Sequence, residues 1–334
     1  YQQAEAGDVD YQGAGAGYYW GFPAGGQNMA PVPGAQRSSP TQVNCPSPGG
    51  WKNINTFDYA GGAYGVKSDH TMWSWGQGLW GRLGQNDLTS RSSPTQVGTD
   101  TTWRKLCRGN QGSTAVAIKT DNTLWSWGYD QYGQLGVNEA SPNLISSPTQ
   151  LPGTDWTDET CNAGSHVLAI KSNGTLWAWG MRAKGVLGNN QNNSPNPNGM
   201  SSPVQIGTDT NWSKVGSSGG VSVVIKDDNT LWVWGDNTKG CLGLNAPQPS
   251  HRSSPTQLPG TWSDAAMVGT AIHGLKTDGT LWAWGAMDNG ILGLGVNATP
   301  SDDARSSPAQ IGTDTTWSKL RSGNQMGICG KTDG

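Results

Sequence analysis

Apolar and polar residues alternate with a period of two in a segment that recurs along the chain in six copies. In the third copy, the residues from Ala117 to Gly128 read AIKTDNTLWSWG, with alternation on both sides of Asp121-Asn122. This pattern predicts two antiparallel strands joined by a tight turn, because Asp, Asn and Gly accept positive φ. The same hairpin is predicted around Asp69, Asn173, Asp228 and Asp278.

Tryptophans mark the repeat, since all but Trp80 of the 18 tryptophans fall into three series with a period of 50 to 56 residues. The first series precedes the Gly of L-W-x-W-G and comprises Trp20, Trp75, Trp127, Trp179, Trp234 and Trp284. The second lies two residues earlier and comprises Trp73, Trp125, Trp177, Trp232 and Trp282. The third comprises Trp51, Trp103, Trp156, Trp212, Trp262 and Trp317. A tryptophan that recurs at one strand position in every repeat indicates packing between repeats more than a sugar-stacking surface.

A loop and a Gly-x-Leu-Gly element follow each later W-G, and a variable segment then ends in Ser-Ser-Pro. Glycines at fixed spacing indicate turns with positive φ or a close approach of chains. Proline is confined to edges, strand starts or turns, so Ser-Ser-Pro fits an outer strand or a loop. With the strand at the third-series Trp and an apolar strand such as Val221 to Ile225, each repeat has about four short strands. This arrangement predicts an all-β fold, a β-propeller of four-stranded blades.

The two ends of the chain carry complementary halves of one repeat. The last residues, Lys331 to Gly334, are the first half of a hairpin, and Gly17 to Gly21 is the second half of one. We therefore predict six blades in a ring closed by the N-terminal strand, or seven if the sequence is truncated. Residues 17–334 would form this single domain, and residues 1–16 would be an extension outside it.

The motifs L-W-x-W-G, G-x-L-G, S-S-P-x-Q, W-x-K-[VL] and A-I-K-[TS]-D-G together resemble the repeat of the regulator of chromosome condensation family, from about Gly17 to Gly334. The resemblance implies a β-propeller, which in typical members has seven blades. The chromatin-bound exchange factor of that family uses a basic surface and specific loops, and neither is recognisable here. The tidy repeats and low charge look more like repeat proteins of bacteria and their phages.

Composition narrows the function classes. Charged residues make up 13% of the chain and the net charge is −3, with no basic run, so no nucleic-acid partner is expected. No apolar run is long enough to span a membrane, so no membrane insertion is expected. The five cysteines have no zinc-site spacing, and no cofactor or metal site is predicted. No catalytic constellation can be placed by spacing, which predicts a protein that is not an enzyme.

Residues outside the repeat pattern are the candidate binding residues. Trp80, Tyr129 and Tyr132 lie in the loops after W-G, and Arg182 and Lys184 lie in the same loop of the next repeat. The variable segments Asn189 to Met200 and Leu294 to Arg305 are further candidates, because loops on a rigid scaffold carry function. The leading hypothesis is a protein-binding or structural propeller, extracellular or on a virion surface, with a fibre, decoration or adhesion role. Its partner would be a protein or a cell-surface component. The alternatives are a propeller-type inhibitor or regulator of a protein partner and a glycan-binding lectin.

Overall fold

The computed structural model describes residues 17–21, 37–43, 45, 50–56, 62–107, 114–139, 143–162, 165–191, 199–246, 250–295, 304–322 and 327–332. The predicted extension at residues 1–16 lies outside them. The described residues form β-strands and short 3-10 turns, so the all-β prediction is confirmed. No helix in this part of the chain is long and apolar enough to cross a membrane.

Five antiparallel sheets of four strands follow one another along the chain, and we number them sheets I to V. Sheet I contains β3 (Trp51–Thr56), β4 (Gly62–Lys67), β5 (Met72–Gly76) and β6 (Arg91–Gln96). Sheet II contains β7 (Trp103–Leu106), β8 (Thr114–Lys119), β9 (Leu124–Asp130) and β10 (Asn143–Gln150). Sheet III contains β11 (Trp156–Asn162), β12 (His166–Lys171), β13 (Leu176–Gly180) and β14 (Met200–Gln205). Sheet IV contains β15 (Trp212–Ser218), β16 (Val221–Lys226), β17 (Leu231–Gly235) and β18 (Arg252–Leu258). Sheet V contains β19 (Trp262–Val268), β20 (Ala271–Lys276), β21 (Leu281–Ala286) and β22 (Ala304–Gln310).

Two further sheets have two described strands each. β1 (Gly17–Gly21) pairs with β2 (Arg37–Val43), and β23 (Trp317–Ser322) pairs with β24 (Gly327–Lys331). By sequence, these are the last two and the first two strands of one repeat, as predicted. The structure describes them as separate sheets, so it does not establish the predicted ring closure or the blade count.

The Ser-Ser-Pro strands lie at one edge of every four-stranded sheet, where the missing proline N–H costs no ladder bond. At the other edge, the strands that begin with a third-series tryptophan contact one another from sheet to sheet, as β11, β15, β19 and β23 do. The sheets therefore converge on the side of the third-series strands, and the proline strands lie outermost.

The hairpin turns are held by a short hydrogen-bond chain. In sheet II, Asp121 Oδ1 accepts the backbone N–H and the hydroxyl of Thr123, at 3.0 and 2.7 Å. The same hydroxyl oxygen accepts the indole N–H of Trp125 at 2.8 Å. Asn122 completes the turn with a φ of 64°. The arrangement recurs in the other four-stranded sheets, so the second-series tryptophans have a structural role.

Lysines at the end of each second strand lie against tryptophan rings, a feature that the sequence analysis did not predict. Lys119 Nζ lies 3.6 Å from the ring centroid of Trp125 and 4.7 Å from that of Trp103. It also contacts Asp100 Oδ2 at 2.8 Å, and its side chain is only 7% exposed. Lys171 and Lys226 repeat all three contacts in sheets III and IV. The ammonium group of each of these lysines is thus stabilised by two cation–π contacts and one ion pair.

The first-series tryptophans of sheets I to V are fully buried. Those of sheets II to V cross to the preceding sheet. Trp127 Nε1–H, for example, donates to the Arg82 carbonyl of sheet I at 2.9 Å. Trp127, Trp179, Trp234 and Trp284 thus pack between sheets. The side chain of Trp20 is outside the described residues.

Of the cysteines that the structure describes, Cys107 and Cys241 are buried and Cys45 and Cys329 are half-buried. Burial raises the pKa of the Cys241 thiol to about 11.

Candidate functional site

The loops after W-G in sheets I and III adopt the same backbone shape. Short 3-10 turns span Leu79–Gly81 and Ala183–Gly185, and the middle residue has a positive φ in both, 66° for Trp80 and 57° for Lys184. By sequence, Tyr132, Lys239 and Asn289 occupy the corresponding position in the other repeats. A bulky residue in the left-handed backbone region is strained. The positive φ of Trp80 therefore costs conformational free energy that an asparagine would largely avoid.

Trp80 packs its ring against the next sheet while keeping much of it in solvent. Its ring centroid lies 4.6 Å from that of Tyr129, with the planes inclined by 43°. Trp80 is nevertheless 45% exposed. Tyr129 follows the W-G of sheet II, so this contact bridges sheets I and II. The tyrosine holds the indole in place and leaves one side of it available.

Two exposed leucines lie in the same loop as Trp80: Leu79 precedes it, and the Leu88 carbonyl oxygen lies 2.7 Å from the position of a Cβ added at Gly78. Leu79 is 50% exposed and Leu88 is 51% exposed, and with Trp80 they are the exposed large hydrophobic residues of the described chain. We call Leu79, Trp80, Leu88 and Tyr129 the aromatic patch. Arg91 and Asp87 form an ion pair of 2.6 Å in the same loop. The patch is therefore an apolar surface with a polar pair next to it.

The corresponding contact between sheets III and IV is ionic. Lys184 forms a salt bridge with Asp236, which follows the W-G of sheet IV as Tyr129 follows that of sheet II. Burial alone would raise the pKa of Asp236, but hydrogen bonds from Lys184 and Thr238 lower it below its ordinary value. Lys184 is thus engaged within the chain as well as being a candidate for binding.

The remaining candidate residues are placed separately. Tyr132 occupies the loop position of Trp80 in the next repeat, and its backbone N–H donates to Gln134 Oε1 at 2.7 Å. Arg182 Nη1 contacts Met200 Sδ at 3.9 Å. Among the five predicted binding residues, Trp80 and Tyr129 are the one pair whose rings are in contact in the described part of the chain. Much of the two variable segments, at 192–198 and 296–303, lies outside the described residues.

A buried histidine joins sheets III and IV. His166 is fully buried and its Nε2 lies 3.1 Å from Ser222 Oγ of the next sheet. The Ser222 hydroxyl donates to the Val186 carbonyl at 2.7 Å. Burial lowers the pKa of His166 to about 4. A neutral imidazole with no access to solvent serves packing here.

The sequence matches the model for the regulator of chromosome condensation (RCC1) repeat at residues 69–116, 121–170 and 228–267. It is 28% identical to the ultraviolet-B receptor UVR8 of Arabidopsis thaliana over 182 residues, 54% of this chain and 40% of the receptor. It is 25% identical to the human RCC1-like G exchanging factor-like protein over 204 residues, 58% of this chain and 43% of that protein. The chain thus spans less than half of the length of these relatives. The plant and human relatives give no support to the expected likeness to bacterial and phage proteins.

Solved structures show the same fold at lower identity. Yeast RCC1 (Prp20) bound by Kap60 matches with a TM-score of 0.76 and 17% identity, over 95% of this chain and 76% of that one. Prp20p from Saccharomyces cerevisiae, whose structure is reported with its binding properties to Gsp1p and histones, matches with a TM-score of 0.71 and 17% identity. That match covers 88% of this chain and 73% of Prp20p.

Proposed function

Because this chain carries repeats of the regulator of chromosome condensation family on successive four-stranded sheets, we propose that it is a non-enzymatic protein-binding scaffold whose contact surface is the aromatic patch. The observation that carries the proposal is the half-exposed Trp80, which packs on Tyr129 and shares its loop with the exposed Leu79 and Leu88. Contiguous exposed apolar surface on a folded domain marks interaction sites.

The chemistry of the patch suits a protein partner. Tryptophan and tyrosine are enriched among residues that dominate binding energy, because a rigid ring buries a large area for little loss of conformational entropy. Trp80 is already restrained by its backbone and by the Tyr129 ring, so its ordering on binding costs little. The neighbouring ion pair of Asp87 and Arg91 supplies a polar edge that would fit the rim of such an interface.

Regulation of a protein partner is the form of this function that the relatives favour. One relative is named a G exchanging factor-like protein, and Prp20p is described with Gsp1p and histones as its binding partners. From these relatives we infer only that the chain is a propeller that regulates a protein partner by direct contact. A fibre, decoration or adhesion role at a virion or cell surface finds no support among these relatives, and the extracellular location stays a prediction. The first-series tryptophans of sheets I to V are buried, so their rings are not available to stack on a glycan.

The proposal includes the closed architecture. β23 and β24 supply the two strands that begin a repeat, and β1 and β2 supply the two that end it. Pairing of β24 with β1 would complete a sixth four-stranded sheet, in which neither of these two strands keeps an unpaired edge.

The test is retention of proteins from an extract of the source cells on immobilised chain, comparing wild type with Trp80→Asn. Asparagine tolerates positive φ and stands at the same loop position in the fifth four-stranded repeat, so the variant keeps the fold. Lys239→Asn places the same side chain at the position of sheet IV that corresponds by sequence, and it is the control for an asparagine introduced in this loop. We expect a protein retained by wild type and Lys239→Asn and lost on Trp80→Asn. Equal retention by all three would refute the assignment of the patch.

A further inference from the structure

Each sheet from I to IV receives one indole from the sheet that follows it. The indole N–H donates to the carbonyl of the second residue of Gly-x-Leu-Gly at 2.8 to 3.0 Å, in the pairs Trp127–Arg82, Trp179–Gln134, Trp234–Val186 and Trp284–Cys241. The last glycine of the element makes room for the ring. A Cβ added at Gly243, for example, would lie 2.8 Å from Trp284 Nε1.

The equivalent slot on sheet V stands open among the described residues. Gly293 has the same φ as Gly243, 64° against 66°. A Cβ added at Gly293, however, would meet no atom of the described residues closer than Ile311 Cδ1 at 3.8 Å. Gly293 is exposed, whereas Gly84, Gly136, Gly188 and Gly243 are all buried. Sheet V thus presents the shape that elsewhere holds an indole.

His273 adds a hydrogen-bond acceptor to this slot. It occupies the strand position of Tyr64, because both pair with the residue before a first-series tryptophan. In sheet I, the Tyr64 hydroxyl oxygen accepts the Trp127 indole N–H at 2.8 Å. His273 is only 4% exposed, and its Nδ1 has no hydrogen-bond partner among the described residues. The His273 ring also hydrogen-bonds the Ile291 backbone, which raises its pKa against the larger lowering by burial. With the other ring nitrogen as the donor in that bond, Nδ1 is an acceptor, and a buried acceptor without a donor indicates that a donor arrives from outside sheet V.

We propose that the slot formed by Gly293, Ile291 and His273 binds the indole of Trp20, so that the N-terminal hairpin docks on sheet V. Trp20 is the W-G tryptophan of β1, and its N–H would donate to the Ile291 carbonyl and His273 Nδ1. This inference rests on the ring closure proposed above and is independent of the aromatic patch.

A second contact of the same interface supports Trp20 as the occupant. Two residues beyond each of the four filled glycines, an asparagine with positive φ donates its backbone N–H to the first serine carbonyl of the next Ser-Ser-Pro strand. The pairs are Asn86–Ser146, Asn138–Ser201, Asn190–Ser253 and Asn245–Ser306, at 2.6 to 2.7 Å. In sheet V this position is Gly295, with a φ of 70°. Its partner by sequence is Ser38 in β2, the strand paired with that of Trp20.

The test compares three Gly→Ala variants of the whole chain with nearly equal φ. Gly207 has a φ of 65° and open space around its Cβ position, so Gly207→Ala measures the backbone cost alone. Gly243→Ala adds the clash with Trp284. If Trp20 fills the slot, Gly293→Ala should lower the Tm as far as Gly243→Ala does, roughly 5 °C beyond Gly207→Ala. A fall equal to that of Gly207→Ala means an open slot and overturns the proposal.

The Trp20→Ala background identifies the occupant. In that background, Gly293→Ala should lower the Tm no more than Gly207→Ala does. If Gly293→Ala still lowers the Tm further, a group other than Trp20 fills the slot. A Tm that rises with protein concentration would assign it to a second copy. If an alanine variant fails to fold, hydrogen exchange of residues 271–293 provides the decision. We expect exchange to be about tenfold faster in Trp20→Ala than in Trp80→Asn, and equal rates would overturn the proposal. Partner retention depends on Trp80, so either proposal can fail alone.

Discussion

Replacing Lys119 by methionine tests whether the buried lysines stabilise the sheets. Methionine keeps the unbranched apolar stem and removes the ammonium group that lies 3.6 and 4.7 Å from two tryptophan ring centroids. Two largely desolvated cation–π contacts contribute about 1 kcal/mol each or more. The pair with Asp100 adds less than about 1 kcal/mol, because that carboxylate is 53% exposed.

The opposing effect is the cost of removing the ammonium group from water, which can make an apolar replacement of a buried ion neutral or stabilising. Here the rings and the carboxylate surround the charge from several sides, so we expect the attraction to prevail. The predicted loss is about 2 kcal/mol, or a fall in Tm of about 4 °C for a chain of this size.

Thermal unfolding followed by circular dichroism measures the effect. Lys319→Met, at an exposed position of β23, is the matched control and should leave the Tm nearly unchanged. Asp100→Asn should cost less than half of the Lys119→Met effect if the rings contribute most. A Tm for Lys119→Met equal to or above that of wild type would refute the reasoning.

Three further predictions concern buried groups. Burial lowers the folded-state pKa of His166 to about 4, below the ordinary 6.5, so its contribution to stability is complete above pH 6.5 and is lost as the pH falls towards 4. Between pH 4.5 and 7, the free energy of unfolding should therefore rise less steeply with pH in His166→Gln than in wild type, by up to about 1.4 kcal/mol per pH unit. Equal slopes for the two proteins would contradict this. Trp127→Phe removes the buried indole N–H that donates to both the Tyr64 hydroxyl and the Arg82 carbonyl and should cost about 2–4 kcal/mol in chemical denaturation, whereas replacement of the half-buried Trp125 by Phe should cost less. Native alkylation followed by mass spectrometry should modify Cys45 and Cys329 before Cys107 and Cys241, since burial removes access and raises the pKa of the Cys241 thiol; rapid labelling of Cys241 would argue against this packing.

The repeat pattern allowed the local structure to be predicted, because strand alternation, turn residues and proline placement each have a local physical cause. The hairpin at Asp121-Asn122 and the edge position of Ser-Ser-Pro follow directly from it. The lysine contacts were missed because a lysine before a turn also fits a solvated strand end. Its recurrence at Lys67, Lys119, Lys171, Lys226 and Lys276 was the available signal.

The candidate site was predictable only in part. Trp80 and Tyr129 stood out because they break the repeat, yet their contact joins two repeats and has no local signature in either. Lys184 also stood out, but its salt bridge with Asp236 depends on the next sheet in the same way. To predict a contact between repeats, one must know which loops face each other, and only the arrangement of the sheets determines that.

The loop contacts also restrict how such a chain can change during evolution. A residue before Gly-x-Leu-Gly meets a residue after W-G in the next sheet, as an aromatic pair in Trp80–Tyr129 and as an ion pair in Lys184–Asp236. Exchanging whole repeats by recombination would set Trp80 against Asp236 or Lys184 against Tyr129. The order of the repeats is therefore part of what this sequence encodes, although each repeat folds by the same local rules.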